Sequence, residues 1–144
     1  MPFLLSWSIL CLTVLNFSAG DSRQAEVIWK LKADIHVFNQ LSSDCTRVIV
    51  GESGYYYVFT QLTFTDVNQN MTIFHRVNLY HKGGHDEELG FAEHDVASNV
   101  QLSRHSSSVQ FMRFLDKGDH LYVAIGNPDH FDSVNSILGL FLVS

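Results

Sequence analysis

Beyond Asp21 the apolar residues recur at every second position in short runs, and Gly, Asn, Asp and Ser fill the breaks between them. A period of two sends successive side chains to opposite faces of an extended strand, whereas an amphipathic helix repeats its apolar residues at spacings of three and four. The runs are also rich in β-branched and aromatic side chains, which suit a pleated surface. Strands are therefore predicted near residues 27–31, 34–39, 46–50, 54–64, 71–81, 88–96, 108–115, 119–126 and 136–143. Gly51-Glu52-Ser53-Gly54, Lys82-Gly83-Gly84, Lys117-Gly118-Asp119 and Gly126-Asn127-Pro128-Asp129 carry residues that tight turns need, and they fall at the breaks. No repeat, low-complexity tract or long amphipathic helix interrupts the pattern. The expected fold is all-β, a two-sheet antiparallel jelly-roll sandwich, which limits the sheet edge left open.

The segment 54–64, GYYYVFTQLTF, departs from simple apolar and polar alternation. One face carries Tyr56, Val58, Thr60, Leu62 and Phe64; the other carries Tyr55, Tyr57, Phe59, Gln61 and Thr63. A strand of a monomeric sandwich normally turns one polar face to water, so two apolar faces imply that the second is covered too. The last strand repeats the pattern, with Leu138, Leu140 and Leu142 on one side and Ile137, Gly139, Phe141 and Val143 on the other. Either loops cover the second face or another copy of the chain does.

The N-terminus differs from everything that follows. Phe3 to Phe17 reads FLLSWSILCLTVLNF, no charge precedes Asp21, and Ser18-Ala19-Gly20 places small residues where signal peptidase cuts. Residues 1–20 are expected to be a signal peptide, or a signal anchor if uncleaved, and residues 21–144 the folded domain. Cleavage removes Cys11 and leaves Cys45 as the lone thiol, either buried or bridging two chains. Asn70-Met71-Thr72 is a glycosylation sequon, which makes Asn70 a glycan acceptor in an exported chain. With 46% hydrophobic and 12% aromatic residues, the 144-residue chain builds a core without disulfides, which excludes disorder for most of its length. Its 9 Lys and Arg against 15 Asp and Glu form no basic cluster, and the formal net charge of -6 excludes nucleic acid as a partner.

Gly54 to Phe64 resembles the G-x-Y-x-x-[YF]-[ST]-Q-[VL]-x-F strand of the tumour necrosis factor ligand superfamily, and other stretches follow in that family's order. Trp29 stands where those ligands often have a Trp before their early strands, and Asp116-Lys117-Gly118-Asp119-His120-Leu121 resembles their L-x-x-G-D-x-L turn. Asn127 to Asp132 resembles the loop before their last strand, and Leu138-Gly139-Leu140-Phe141-Leu142 is similar to the closing F-G-x-x-x-L. The resemblance implies a homotrimeric cytokine, neither an enzyme nor cofactor-dependent, that binds and clusters cysteine-rich TNF-receptor-family ectodomains in immune signalling. It further implies a trimer interface of Tyr57, Phe59, Gln61, Ile137, Phe141 and Val143. Receptor contacts are implied at Tyr80, which ends the run HRVNLY, and at Asp129 and Asp132 in the loop before the final strand.

Several features depart from that family. Its first strand, with an A-H-L-like sequence, is not recognisable, and the pair of Cys that bridges two loops in many members is missing. Gln110-Phe111-Met112-Arg113 replaces a glycine-rich G-G-V-F strand and sets Arg113 where an apolar residue is expected, through a register shift or a polar contact between subunits. The chain is expected to be extracellular and secreted, or else a type II membrane protein whose 5′ exons this sequence lacks, touching the membrane only through an uncleaved anchor. His81 and His85 are four residues apart, but Gly83 and Gly84 disfavour the helix that would make them converge, so no metal site is expected. No nucleophile elbow, phosphate loop or H-E-x-x-H motif suggests catalysis. Two other functions fit the same fold. One is a complement-type globular-head recognition module, which usually follows a collagen-like stalk that is absent here; the other is a secreted jelly-roll lectin.

Overall fold

Runs of alternating residues become strands, and the turn residues between them set the strand ends. In the computed structural model, residues 7–17, 24–31, 40–67, 72–95 and 102–143 are described. They form β1 (Trp7–Phe17), β2 (Gln24–Leu31), β3 (Gln40–Leu41), β4 (Arg47–Ile49), β5 (Gly54–Val67), β6 (Thr72–His81), β7 (His85–Asp95), β8 (Leu102–Leu115), β9 (His120–Gly126) and β10 (Phe131–Leu142). A single 3-10 turn at Pro128–His130 precedes β10, and no α-helix occurs among the described residues. The strand expected at 34–39 lies outside the described residues.

All pairings are antiparallel. One layer runs β2-β1-β10-β5-β8 and the other β3-β4-β9-β6-β7, with the start of β2 also pairing the end of β9 and so joining the layers along one side. This is the expected two-sheet jelly-roll sandwich. Trp29, Tyr56, Leu62, Phe64, Ile73, Leu79, Leu121, Ile125, Leu138 and Leu140 fill the space between the layers, each 0–1% exposed. Burying one such side chain contributes about 1.5–3 kcal/mol.

Two strands exceed their sequence signal. β8 starts at Leu102 although Leu102 to Ser108 is mostly polar, because β5 continues to Val67 and pairs with it from Gly54 opposite Leu115 to Val67 opposite Leu102. β1, the signal-like stretch, lies between β2 and β10, with Trp7 opposite Phe141, Cys11 opposite Ile137 and Phe17 opposite Ala25. It occupies the position at which no first strand was recognisable by sequence.

The turn between β8 and β9 explains its own residues. Gly118 has φ +95, a conformation costly for any residue with a Cβ. The Asp119 carboxylate, 3% exposed, accepts from the backbone N–H of Lys82 at 3.0 Å and of Asp116 at 3.3 Å, which ties the β6–β7 turn to the β8–β9 turn. Cys45 sits half-buried in the turn before β4 at φ 62. Its neighbour Asp44 accepts there from Ser42 Oγ and from the N–H and hydroxyl of Thr46.

Candidate interaction surfaces

The first surface is the outward face of β5, β8 and β10. The strand period buries Tyr56, Val58 and Thr60 and turns Tyr55, Tyr57, Phe59 and Gln61 the other way. Residues opposite one another in an antiparallel pair share a face. Register therefore adds Phe114, Met112 and Gln110 from β8, opposite Tyr55, Tyr57 and Phe59. It also adds Phe141, Gly139 and Ile137 from β10, opposite Tyr57, Phe59 and Gln61. Val143 extends the row, its N–H donating to the Tyr55 carbonyl at 2.7 Å. The six positions implied for a trimer interface thus lie together. Sequence reading missed Tyr55, Met112 and Phe114 as members, although the parity of FMRFL held the signal for the last two.

This face is apolar and open. Tyr55, Met112 and Phe114 are 52%, 60% and 43% exposed, and they are three of the four exposed large apolar side chains among the described residues. The rings of Tyr55 and Phe114 meet edge-on at 5.2 Å, and those of Tyr57 and Phe59 lie tilted to one another at 5.9 Å. Tyr57 donates its hydroxyl to Gln110 Oε1 at 2.7 Å. The Phe59 ring lies across Gly139, where an added Cβ would overlap it.

Arg113 does not extend the apolar face. It is opposite the buried Tyr56, so it points to the open side of the sandwich, where its guanidinium grips both Glu87 oxygens, at 2.8 and 2.7 Å. The unexpected cation therefore serves a contact within the chain, from β8 to β7, with the β5–β8 register unbroken. Glu87 also accepts from His81 at 2.7 Å, and these two bonds, Arg113 first, hold its carboxyl below the usual range. His81 and His85 face each other across the hairpin with rings stacked at 4.3 Å, so a strand pair brings them together without the helix that their spacing would otherwise need. Among the described residues no group of three or more His, Cys, Asp or Glu has the geometry to hold a metal ion.

The second surface is the outward face of the other layer. Tyr80 is half-buried at the end of β6, opposite Asp86 and His120. The Arg47 guanidinium lies 4.3 Å from the Tyr122 ring centroid and 5.4 Å from that of Tyr80, and it pairs with Glu26 at 3.6 Å. Such stacking orients an Arg and fixes the rings beneath it. Tyr122 donates to Asp86 at 2.7 Å, and burial, then that bond, push its hydroxyl up to about 12.

Asp129 and Asp132 stand elsewhere. Asp129 is exposed on the 3-10 turn after β9, and Asp132 opens β10, where its carboxylate accepts from Asn135 at 2.8 Å. Tyr80 pairs with the first residue of β9, so the length of that strand, about 20 Å, separates it from the aspartates. The three implied receptor contacts form two patches on one protomer. Asn70 lies outside the described residues.

A family model described as the TNF (Tumour Necrosis Factor) family matches residues 29–143. The crystal structure of murine APRIL at pH 5.0 superposes with a TM-score of 0.77 at 20% identity, covering 96% of this chain and 99% of that one. The murine APRIL structures at pH 8.0 and pH 8.5 match over the same shares with TM-scores of 0.76 and 0.75, each at 20% identity. No curated protein sequence matches the chain. No helix among the described residues is long and apolar enough to cross a membrane.

Proposed function

The chain belongs to the tumour necrosis factor family, whose members are non-enzymatic ligands, and from that premise we propose that it is an extracellular homotrimeric cytokine that clusters TNF-receptor-family ectodomains in immune signalling. The observation that carries this is the open aromatic face of β5, β8 and β10. Tyr57, Phe59, Gln61, Ile137, Phe141 and Val143 on that face bury one another around a threefold axis, with Tyr55, Met112 and Phe114 at the β8 side. Burying such a patch supplies the hydrophobic drive for stable self-association. Tyr80 contributes one receptor contact, and Asp129 and Asp132 contribute a second. Their separation suits an elongated receptor lying along the molecule. Asn70 carries a glycan once residues 1–20 have directed export as a signal peptide or signal anchor.

Family membership favours the cytokine over a complement-type head or a lectin. The test is binding to a panel of immobilised TNF-receptor-family ectodomains by surface plasmon resonance. At least one is expected to bind saturably, and Tyr80→Ala to weaken it at least tenfold, about 1.4 kcal/mol, with the oligomeric mass unchanged. No saturable binding across the panel would contradict the proposal.

A further inference from the structure

Away from both surfaces the core contains a polar cluster. His75 on β6 is fully buried, with Nε2 2.9 Å from Thr60 Oγ1 on β5 and Nδ1 2.7 Å from Ser107 Oγ on β8. Thr60 donates its only hydroxyl proton to the Val109 carbonyl at 3.2 Å, so it accepts from Nε2–H, and Nδ1 accepts from Ser107. The neutral ring is thereby satisfied on both sides. A second proton at Nδ1 would require the Ser107 hydroxyl to turn from donor to acceptor, and the resulting charge would be enclosed in the core.

Two more imidazoles complete the cluster. His94 on β7 and His105 on β8 meet edge-on at 4.8 Å, and His105 Nε2 is buried with no hydrogen-bond partner among the described residues. They sit where β7, which pairs only with β6, faces β8 across the open side that Arg113 and Glu87 close further along. The other charged groups on these strands do not offset charge here. Glu93, Asp95 and Arg104 are exposed, Asp95 accepts from Thr72, and Arg76 stacks outward on Phe74 and Phe91. β9 places Ile125 opposite His75, and β5 presents the uncharged Thr60 hydroxyl to it.

We propose that His75 and His105, packed beside His94, form an acid-opened latch, in which their proton uptake parts β6 around His75 and the end of β7 from β8 and loosens that side of a still-folded sandwich. The latch is independent of the trimer and of receptor choice. Burial first, and His94 second, lower His75 to about 4, and the same two causes lower His105. A ring that titrates near 4 when enclosed and near 6.5 when released favours release roughly thirtyfold more at about pH 5 than at neutral pH.

Hydrogen exchange of the whole chain, read by mass spectrometry at about pH 7.5 and about pH 5 and corrected for intrinsic exchange rates, tests this. Protection in β6 around His75 and at the end of β7 is expected to fall roughly thirtyfold in acid while the β5–β10 pairing keeps its own, and His75→Gln is expected to flatten that dependence. An equal loss in all strands, or the same acid dependence in His75→Gln, would overturn the latch. Should His75→Gln fail to fold, the imidazole titration of the unmodified protein by NMR decides. A native His75 midpoint near 4 supports the latch, and one at about 6.5 or above overturns it.

Discussion

Single residues are held by their neighbours in ways that composition does not reveal. Gly139 is a Gly because the Phe59 ring lies across its backbone. Gly139→Ala is expected to displace that ring and cost about 1–3 kcal/mol of stability, read as a lower urea midpoint; an unchanged midpoint would contradict the placement of Phe59. His75 gives the molecule a pH dependence of known sign. Its folded pKa of about 4 lies below the ordinary 6.5, so on acidification the unfolded chain takes the proton first. Stability is complete above about pH 6.5 and declines as pH falls towards 4, by about 3 kcal/mol in all from this ring. Urea titrations at a series of pH values check this, and a flat profile between pH 7 and 4 would refute it. None of this was legible in the sequence, where His75 is one of eight His and Thr60 and Ser107 are far from it in the chain.

At the scale of elements, eight of the nine predicted strands have counterparts among the described residues, because a period of two bounded by turn residues is a local signal. What failed was non-local. β8 runs through the polar stretch 102–108 because β5 offers it a partner, and a hydroxyl-rich strand is legible only once that partner is known. Arg113 looked misplaced because Glu87, on another strand, was invisible as its counterpart. β1 is the sharpest case. Composition makes Trp7–Phe17 a leader, yet its backbone fills the gap between β2 and β10. An apolar run without charge satisfies both a bilayer-facing segment and a central strand. Cleavage as proposed predicts that N-terminal sequencing of the exported chain begins at Asp21. A start before Trp7 would assign the strand to the mature protein.

For the whole molecule the doubly apolar strands were the informative signal. Their alternation alone implies a covered second face, and all six positions implied for it fall on one side of the sheet. The receptor contacts proposed at Tyr80 and the aspartates rest on family likeness alone, and these residues lie at opposite ends of β9. A face on which Tyr55, Met112 and Phe114 are 43–60% exposed beside half-buried Tyr57, Phe59 and Phe141 is what a protomer separated from its partners presents. The central claim is therefore self-association through this face, and the molar mass of the purified protein by light scattering on a sizing column, across micromolar concentrations, tests it most directly. Three protomers are predicted, with Phe59→Asp shifting the population towards monomer. A soluble monomer throughout that range would contradict the account.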